Sequence, residues 1–281
     1  MNSERDDARA VLAFYRDAGV DALLGEEPVD RFADELPATA SSQRTRPGSE
    51  AVGPAINGQA ARADRDAVRA PAAPPSPEAA IMAAREAAKA AKDLDELRAL
   101  LEAFEGCMLR ATATQLVFAD GNPQGRVMFV GEAPGRDEDM AGLPFVGRSG
   151  KLLDLMLAAI GLDRSQVYIA NVVPWRPPGN RTPTPQETAI CLPFIRRQIE
   201  LAGADILVCL GQPSTQALLE TREGITRTRG RWFKFDTGSR EIRALATYHP
   251  AFLLRSPLQK RLAWRDFLAL KKALTSQGAR S

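Results

Sequence analysis

The sequence predicts an α/β fold, with a parallel sheet covered by helices on both faces. Two observations carry that reading. Four short runs are apolar along their whole length: Val127–Val130, Val167–Ala170, Ile206–Leu210 and Leu245–Tyr248. Strands that do not alternate apolar with polar are buried on both faces, as in parallel sheets. Helical patterns then lie between or after them, over Lys151–Ile160, Pro185–Leu201, Ser214–Leu219 and about Gln259–Leu274. Strands alternating with helices are joined by crossovers. A third observation bears on function. VMFV runs into GEAPG, VYIA into NVVPWRPPGN, and LATY into HPAFLLR. Ligands of open α/β sheets bind outside the carboxyl ends of the strands. Glu132, Asn171 and His249 are therefore expected to converge on one rim.

Ahead of the sheet the composition changes twice. Residues 5–32 read as one or two short amphipathic helices, so residues 1–32 are set apart as a helical segment. Residues 33–78 are rich in Ala, Pro, Ser, Gly and charge and lack the aromatic and branched residues that offset ordering entropy. They read as a disordered linker. Residues 79–103 carry a helical pattern rich in Ala, Leu, Glu and Lys, and residues 79–281 form the expected catalytic domain. No internal repeat is present.

Composition excludes little by itself. Hydrophobic residues make up 44%, enough for a sizeable core. Lys and Arg number 37 against 35 Asp and Glu, so any basic surface must be local. No apolar run approaches the ~18 residues of a membrane span, and the first residues lack a basic-then-apolar signal pattern. Three widely spaced cysteines, Cys107, Cys191 and Cys209, suit a reducing compartment, and the expected location is the cytoplasm.

His249 is the only histidine of the 281 residues, and it stands before a proline at the end of an apolar run. Taken singly, each rim residue has an ordinary reading. Glu132 is an exposed carboxylate in a turn, Asn171 a turn former, and His249 a satisfied structural imidazole. Phe145, in LPFVG, is either core or a stacking platform. Taken together they are more specific. An aromatic face stacks a planar ring, and an amide reads its edge with both a donor and an acceptor. An imidazole donates to developing negative charge, and a carboxylate faces developing positive charge or water. That set suits cleavage of the bond between a nucleobase and its sugar. A nucleotide triphosphatase is not supported. In GRSGKL, Phe145 stands where the leading glycine of a phosphate loop belongs, and Leu152 where Ser or Thr belongs.

GEAPGRDED followed by GLPFVGRSGKLLD, then YIANVVPWRPPGNRTPTPQE, then YHPAFLLR, resembles the family 4 uracil-DNA glycosylases. The resemblance spans about residues 105–275, in order as well as spacing. It implies a three-layer α/β/α sandwich with a four-stranded parallel sheet, and a glycosylase that flips uracil out of DNA and leaves an abasic site. It also implies roles. Phe145 would stack on the flipped base, Asn171 would bond its Watson–Crick edge, and His249 would donate to O2. Glu132 would position water or stabilise the sugar cation. Ala133 stands where the best-known uracil glycosylases carry an aspartate. Glu138 would help to exclude the 5-methyl of thymine. Leu253 and Leu254 would wedge into the vacated stack, or else pack under the loop. No lysine stands in the pocket motifs to form a Schiff base, so strand cleavage is not expected.

The family's iron–sulfur cluster is held by four cysteines, and only Cys107 and Cys191 match. Phe104 and Trp175 occupy the other two positions, so the expectation is a protein without a 4Fe-4S cluster. Contacts to DNA phosphates are expected from Arg181 beside Arg176, from Arg229 among Arg227, Arg231 and Lys234, and from Arg255 with Lys260 and Arg261. The expected partner is DNA carrying uracil or another deaminated base. A protein partner for the N-terminal segment, no membrane and a monomeric state complete the expectations. Two alternatives stand beside the leading one: a glycosylase with a broader range of deaminated bases, and a uracil-DNA binding protein with little turnover.

Overall fold

A computed structural model describes residues 76–278. The amphipathic segment and nearly all of the expected linker lie outside the described residues. The first helix, α1 (Pro77–Ala90), starts two residues before the expected boundary, with the Ser76 side chain accepting from the Ala79 amide at 3.2 Å. The helical pattern expected over 79–103 is made by two helices. Asp93 caps a second helix, α2 (Leu94–Ala103), by accepting from Glu96 N at 2.8 Å, while the Glu96 carboxylate accepts from Lys92 N at 2.8 Å. This reciprocal cap starts a new helix rather than continuing the old one.

The order continues α3 (Leu109–Thr112), β1 (Asp120–Gly121), β2 (Val127–Gly131), α4 (Arg136–Ala141), α5 (Arg148–Ala159) and β3 (Val167–Asn171). Then come α6 (Pro185–Ala202), β4 (Ile206–Leu210), α7 (Gln212–Leu219) and α8 (Ile225–Thr228). The chain closes with β5 (Trp232–Asp236), β6 (Glu241–Thr247), α9 (Pro250–Arg255) and α10 (Lys260–Gly278). The sheet has six strands, in the order β1-β3-β2-β4-β6-β5. The inner four are the parallel strands read from the sequence. The expected count of four is corrected by two antiparallel edge strands, β1 and β5. Two-residue β1 is too short to leave a pattern, and β5 (WFKFD) is half-exposed rather than continuously apolar.

Side-chain alternation divides the core into two layers. Met128, Val130, Tyr168, Ala170, Leu207 and Cys209 face one way, toward Leu97 and Leu101 of α2 and Ile195 of α6. Phe129, Ile169, Ile206, Val208 and Leu245 face the other, toward Leu153 and Leu157 of α5 and Phe267 of α10. The result is helix, sheet, helix. No described helix is long and apolar enough to cross a membrane.

Candidate active site

Gly131 ends β2 and pairs in register with Asn171, at the end of β3. No side chain fits at Gly131. A Cβ there would lie 2.5 Å from Asn171 Oδ1 and 2.7 Å from Phe145 Cζ. The missing side chain lets an amide and an aromatic ring meet over the strand end. Phe145 holds a left-handed backbone, φ 56°, which a residue with a Cβ rarely adopts. Its ring is buried and stacks on the His249 imidazole, with centroids 5.4 Å apart and planes at 30°.

His249 begins α9. Its Nδ1 accepts from the Ala251 amide at 3.1 Å. That bond fixes the tautomer: Nδ1 is occupied as an acceptor, so the proton of the neutral ring sits on Nε2. Burial, with Arg255 nearby adding to it, pushes the imidazole down to about 4. At neutral pH His249 is an uncharged donor through Nε2–H. Gly211, at φ 88°, backs it closely, since a Cβ there would come 2.9 Å from His249 Cβ.

Phe145, Asn171 and His249 line one cavity of about 170 Å³, together with Ala133, Glu138 and Ser149. Asn171 is buried, and its Oδ1 has no hydrogen-bond partner. Glu138 is buried too, but its carboxylate is engaged. One oxygen accepts from Gly135 N at 3.1 Å and the other from Gly147 N at 3.0 Å. It joins the GEAPG loop to the FVG loop.

Glu132 lies elsewhere. It lines a larger cavity of about 500 Å³ with Val172, Thr188 and Gln212. The expected convergence of three residues is therefore corrected to two. β2 ends at Gly131 and the chain bends at Glu132, whose side chain lines the second cavity and not the one beside Asn171. Burial raises the Glu132 carboxyl above its usual range, and its Oε1 has no hydrogen-bond partner.

The residues expected on DNA divide. Leu253 is 1% exposed and packs with Tyr248 and Ala263, so it is core and not a wedge. Leu254 is half-buried, and Arg255 is exposed with no ion pair among the described residues. Arg229 is not a free cation. It pairs with buried Asp266, donates to the Leu262 carbonyl at 2.7 Å, and lies 5.7 Å over the Tyr248 ring. Asp266 also accepts from Thr247 Oγ at 2.8 Å. Arg229 thus braces the strand end that leads into His249. Arg181 grips Glu187 with both terminal nitrogens, at 2.8 and 2.7 Å.

Cys107 and Cys191 are buried with their sulfurs 3.9 Å apart. The other two cluster positions are filled. Phe104 packs edge-on against Phe194 at 5.1 Å, and Trp175 is 2% exposed. Cys209 is in β4, inside the sheet. Two thiols and two aromatic rings do not fit a cluster that takes four thiolates.

Sequence reasoning missed Ser149 on the cavity wall, Asp266 beneath the His249 loop, and the arginine that holds the Phe145 loop from a turn before β3. Ser149 was within reach, since it lies two residues after the FVG loop. The other two meet the site through chain separations of roughly twenty residues and leave no local signal.

A family model for the uracil DNA glycosylase superfamily matches residues 118–268. Three curated proteins named type-4 uracil-DNA glycosylase are similar to this chain. That of Archaeoglobus fulgidus is 40% identical over 178 residues, which is 62% of this chain and 89% of the relative. That of Thermotoga maritima is 39% identical, covering 61% of this chain and 90% of the relative. That of Sulfurisphaera tokodaii is 39% identical, covering 64% and 84%.

Proposed function

This chain belongs to the uracil DNA glycosylase superfamily, and we propose that it hydrolyses the bond between uracil and deoxyribose in DNA, the first step of repair. The observation that carries this reading is the buried, unpartnered Asn171 Oδ1 beside the Phe145 ring. A buried acceptor without a partner is costly unless a ligand supplies the donor. Uracil does so through N3–H, while the Asn171 NH₂ donates to O4.

The flipped base enters between the Phe145 loop and the His249 loop, and Phe145 stacks on it. As the bond to the sugar stretches, negative charge gathers on the base. His249 Nε2–H donates to O2 as that charge grows. A neutral donor suits the task, because its N–H is too weakly acidic to pass its proton to the base and so stabilises the anion by hydrogen bonding alone. Glu132, ionised, holds the attacking water or faces the sugar cation from the second cavity. Glu138 acts on the base through the two loops it joins, and Ala133 leaves room on the wall. Leu254 takes the wedge role, and Arg255 contacts a phosphate. The product is an abasic site with the strand intact.

The chain is read as working without a cluster, since only three cysteines are present and two meet. Three free thiols suit the cytoplasm. The catalytic domain is the segment from residue 79 onward, and the residues before it are proposed to dock a protein partner.

The test is a labelled oligonucleotide with one uracil, opposite G, opposite A and single-stranded, treated with alkali to reveal abasic sites. Alkali-dependent breaks at uracil are expected. Binding without breaks would overturn catalysis, and breaks at hypoxanthine or xanthine would widen the substrate range.

A further inference from the structure

We propose that Arg164 is a positioning residue for base recognition, holding the loop that presents Phe145; this rests on the reading of Phe145 as the base platform. Arg164 lies in a tight turn before β3, with its side chain 25% exposed. Its Nε donates to Asp154 at 2.7 Å. Its Nη1 donates to the Asp120 carboxylate and to the Pro144 carbonyl at 3.2 Å, and its Nη2 donates to the Phe145 carbonyl. One planar fork thus joins two carboxylates, from β1 and α5, to two successive carbonyls of the platform loop.

That loop needs holding. Phe145 sits at φ 56°, and its carbonyl packs against Gly150, where no Cβ could be accommodated. A non-glycine residue persists in this region only when its surroundings over-determine it. Arg164 supplies two of the bonds that do so. Remove it, and Asp120 and Asp154 lose the cation that both of them bind, while two carbonyls lose their donors. The loop then relaxes, and the ring over Gly131 loses its fixed angle. Lysine has the charge but not the fork, so it replaces only part of this.

The experiment uses the full chain. Arg164→Gln, Phe145→Ala and the double variant are compared for inhibition by free uracil, for affinity to DNA already carrying an abasic site, and for thermal unfolding. Stacking on one base accounts for an effect of about tenfold. Arg164→Gln should weaken uracil inhibition by about that factor and leave abasic-DNA affinity within about twofold, because no base is stacked there. In the Phe145→Ala background it should add nothing further. If Arg164→Gln does not fold, Arg164→Lys carries the same comparison, with an expected loss of about threefold. Unchanged uracil inhibition in a folded variant would overturn the proposal. So would equal losses for uracil and abasic DNA, or full additivity with Phe145→Ala. If Phe145→Ala alone leaves uracil inhibition unchanged, the base-pocket reading fails, and the proposal with it.

Discussion

The two cavities at the strand ends differ in the opposite way from what size suggests. The larger, about 500 Å³, presents one carboxylate among mostly small and apolar walls. The smaller, about 170 Å³, gathers the only imidazole, a buried amide and an aromatic ring. Volume reports where packing is loose. Chemistry reports where strand ends, a glycine without room for a side chain, and a strained loop have been brought together. The GEAPG loop lines both, Glu132 the larger and Ala133 to Gly135 the smaller, and this comparison can be broken or sharpened by experiment.

The largest effect belongs to the small cavity. His249→Ala should lower kcat by about 10²–10³ at uracil, the usual loss for one donor to a developing anion, and should weaken inhibition by free uracil. Near-normal cleavage would remove His249 from the mechanism. Glu132→Gln should lower kcat by about 10² and leave uracil inhibition unchanged, because that carboxylate lines the other cavity. A shared loss of uracil inhibition would mean that the two cavities act as one when DNA is bound.

Acid separates the same two groups. The folded pKa of His249 is depressed from 6.5 to about 4, so the unfolded chain takes up a proton that the folded one refuses. Its contribution to stability is full above pH 6.5 and declines as pH falls toward 4, by about 3 kcal/mol in all. Urea unfolding of wild type and His249→Ala, followed from pH 7 to pH 4.5, should therefore converge as the pH drops. Activity should follow Glu132 instead. Its raised carboxyl places the acid limb of kcat above the usual carboxylate range, and Glu132→Gln should remove that limb. An acid limb unchanged in Glu132→Gln would deny the carboxylate its role. The smallest effect lies outside both cavities. Arg255→Ala should lower the dependence of log affinity on log salt by about one unit of slope without altering uracil inhibition. Arg229→Ala, whose cation is committed to Asp266, should leave that slope alone and lower the unfolding temperature.

Much of the fold is legible in the sequence, and what is not has physical reasons. The four inner strands were readable because burial on both faces leaves them uniformly apolar. The edge strands were not, because one is two residues long and the other is only half-buried. Asn171 and His249, polar residues at the ends of two strands with two others between them, line one cavity as the sequence suggests. Glu132 also follows a strand end, but the chain bends there and its carboxylate lines the other cavity, which a run of small residues such as GEAPG does not reveal. Leu253 and Arg229 show a different limit. Adjacent leucines do not say which is core, and an arginine does not reveal a buried aspartate 37 residues away. The cluster positions were the reverse case, since the absence of two cysteines is plain in the sequence and Phe104 and Trp175 simply fill the space.

The two antiparallel outer strands have a consequence for the molecule in company. A sheet that ended on its long, apolar, parallel strands would offer a neighbouring chain a template to extend. Here one side stops at two residues, followed at once by Asn122 and Pro123, and proline has no amide to give. The other side carries Lys234 and Asp236 outward, with Lys234 tied to Glu241 across the strand pair. Among the described residues, neither side of the sheet offers a long, apolar strand for another chain to pair with. Size-exclusion at rising concentration should return a single-chain species.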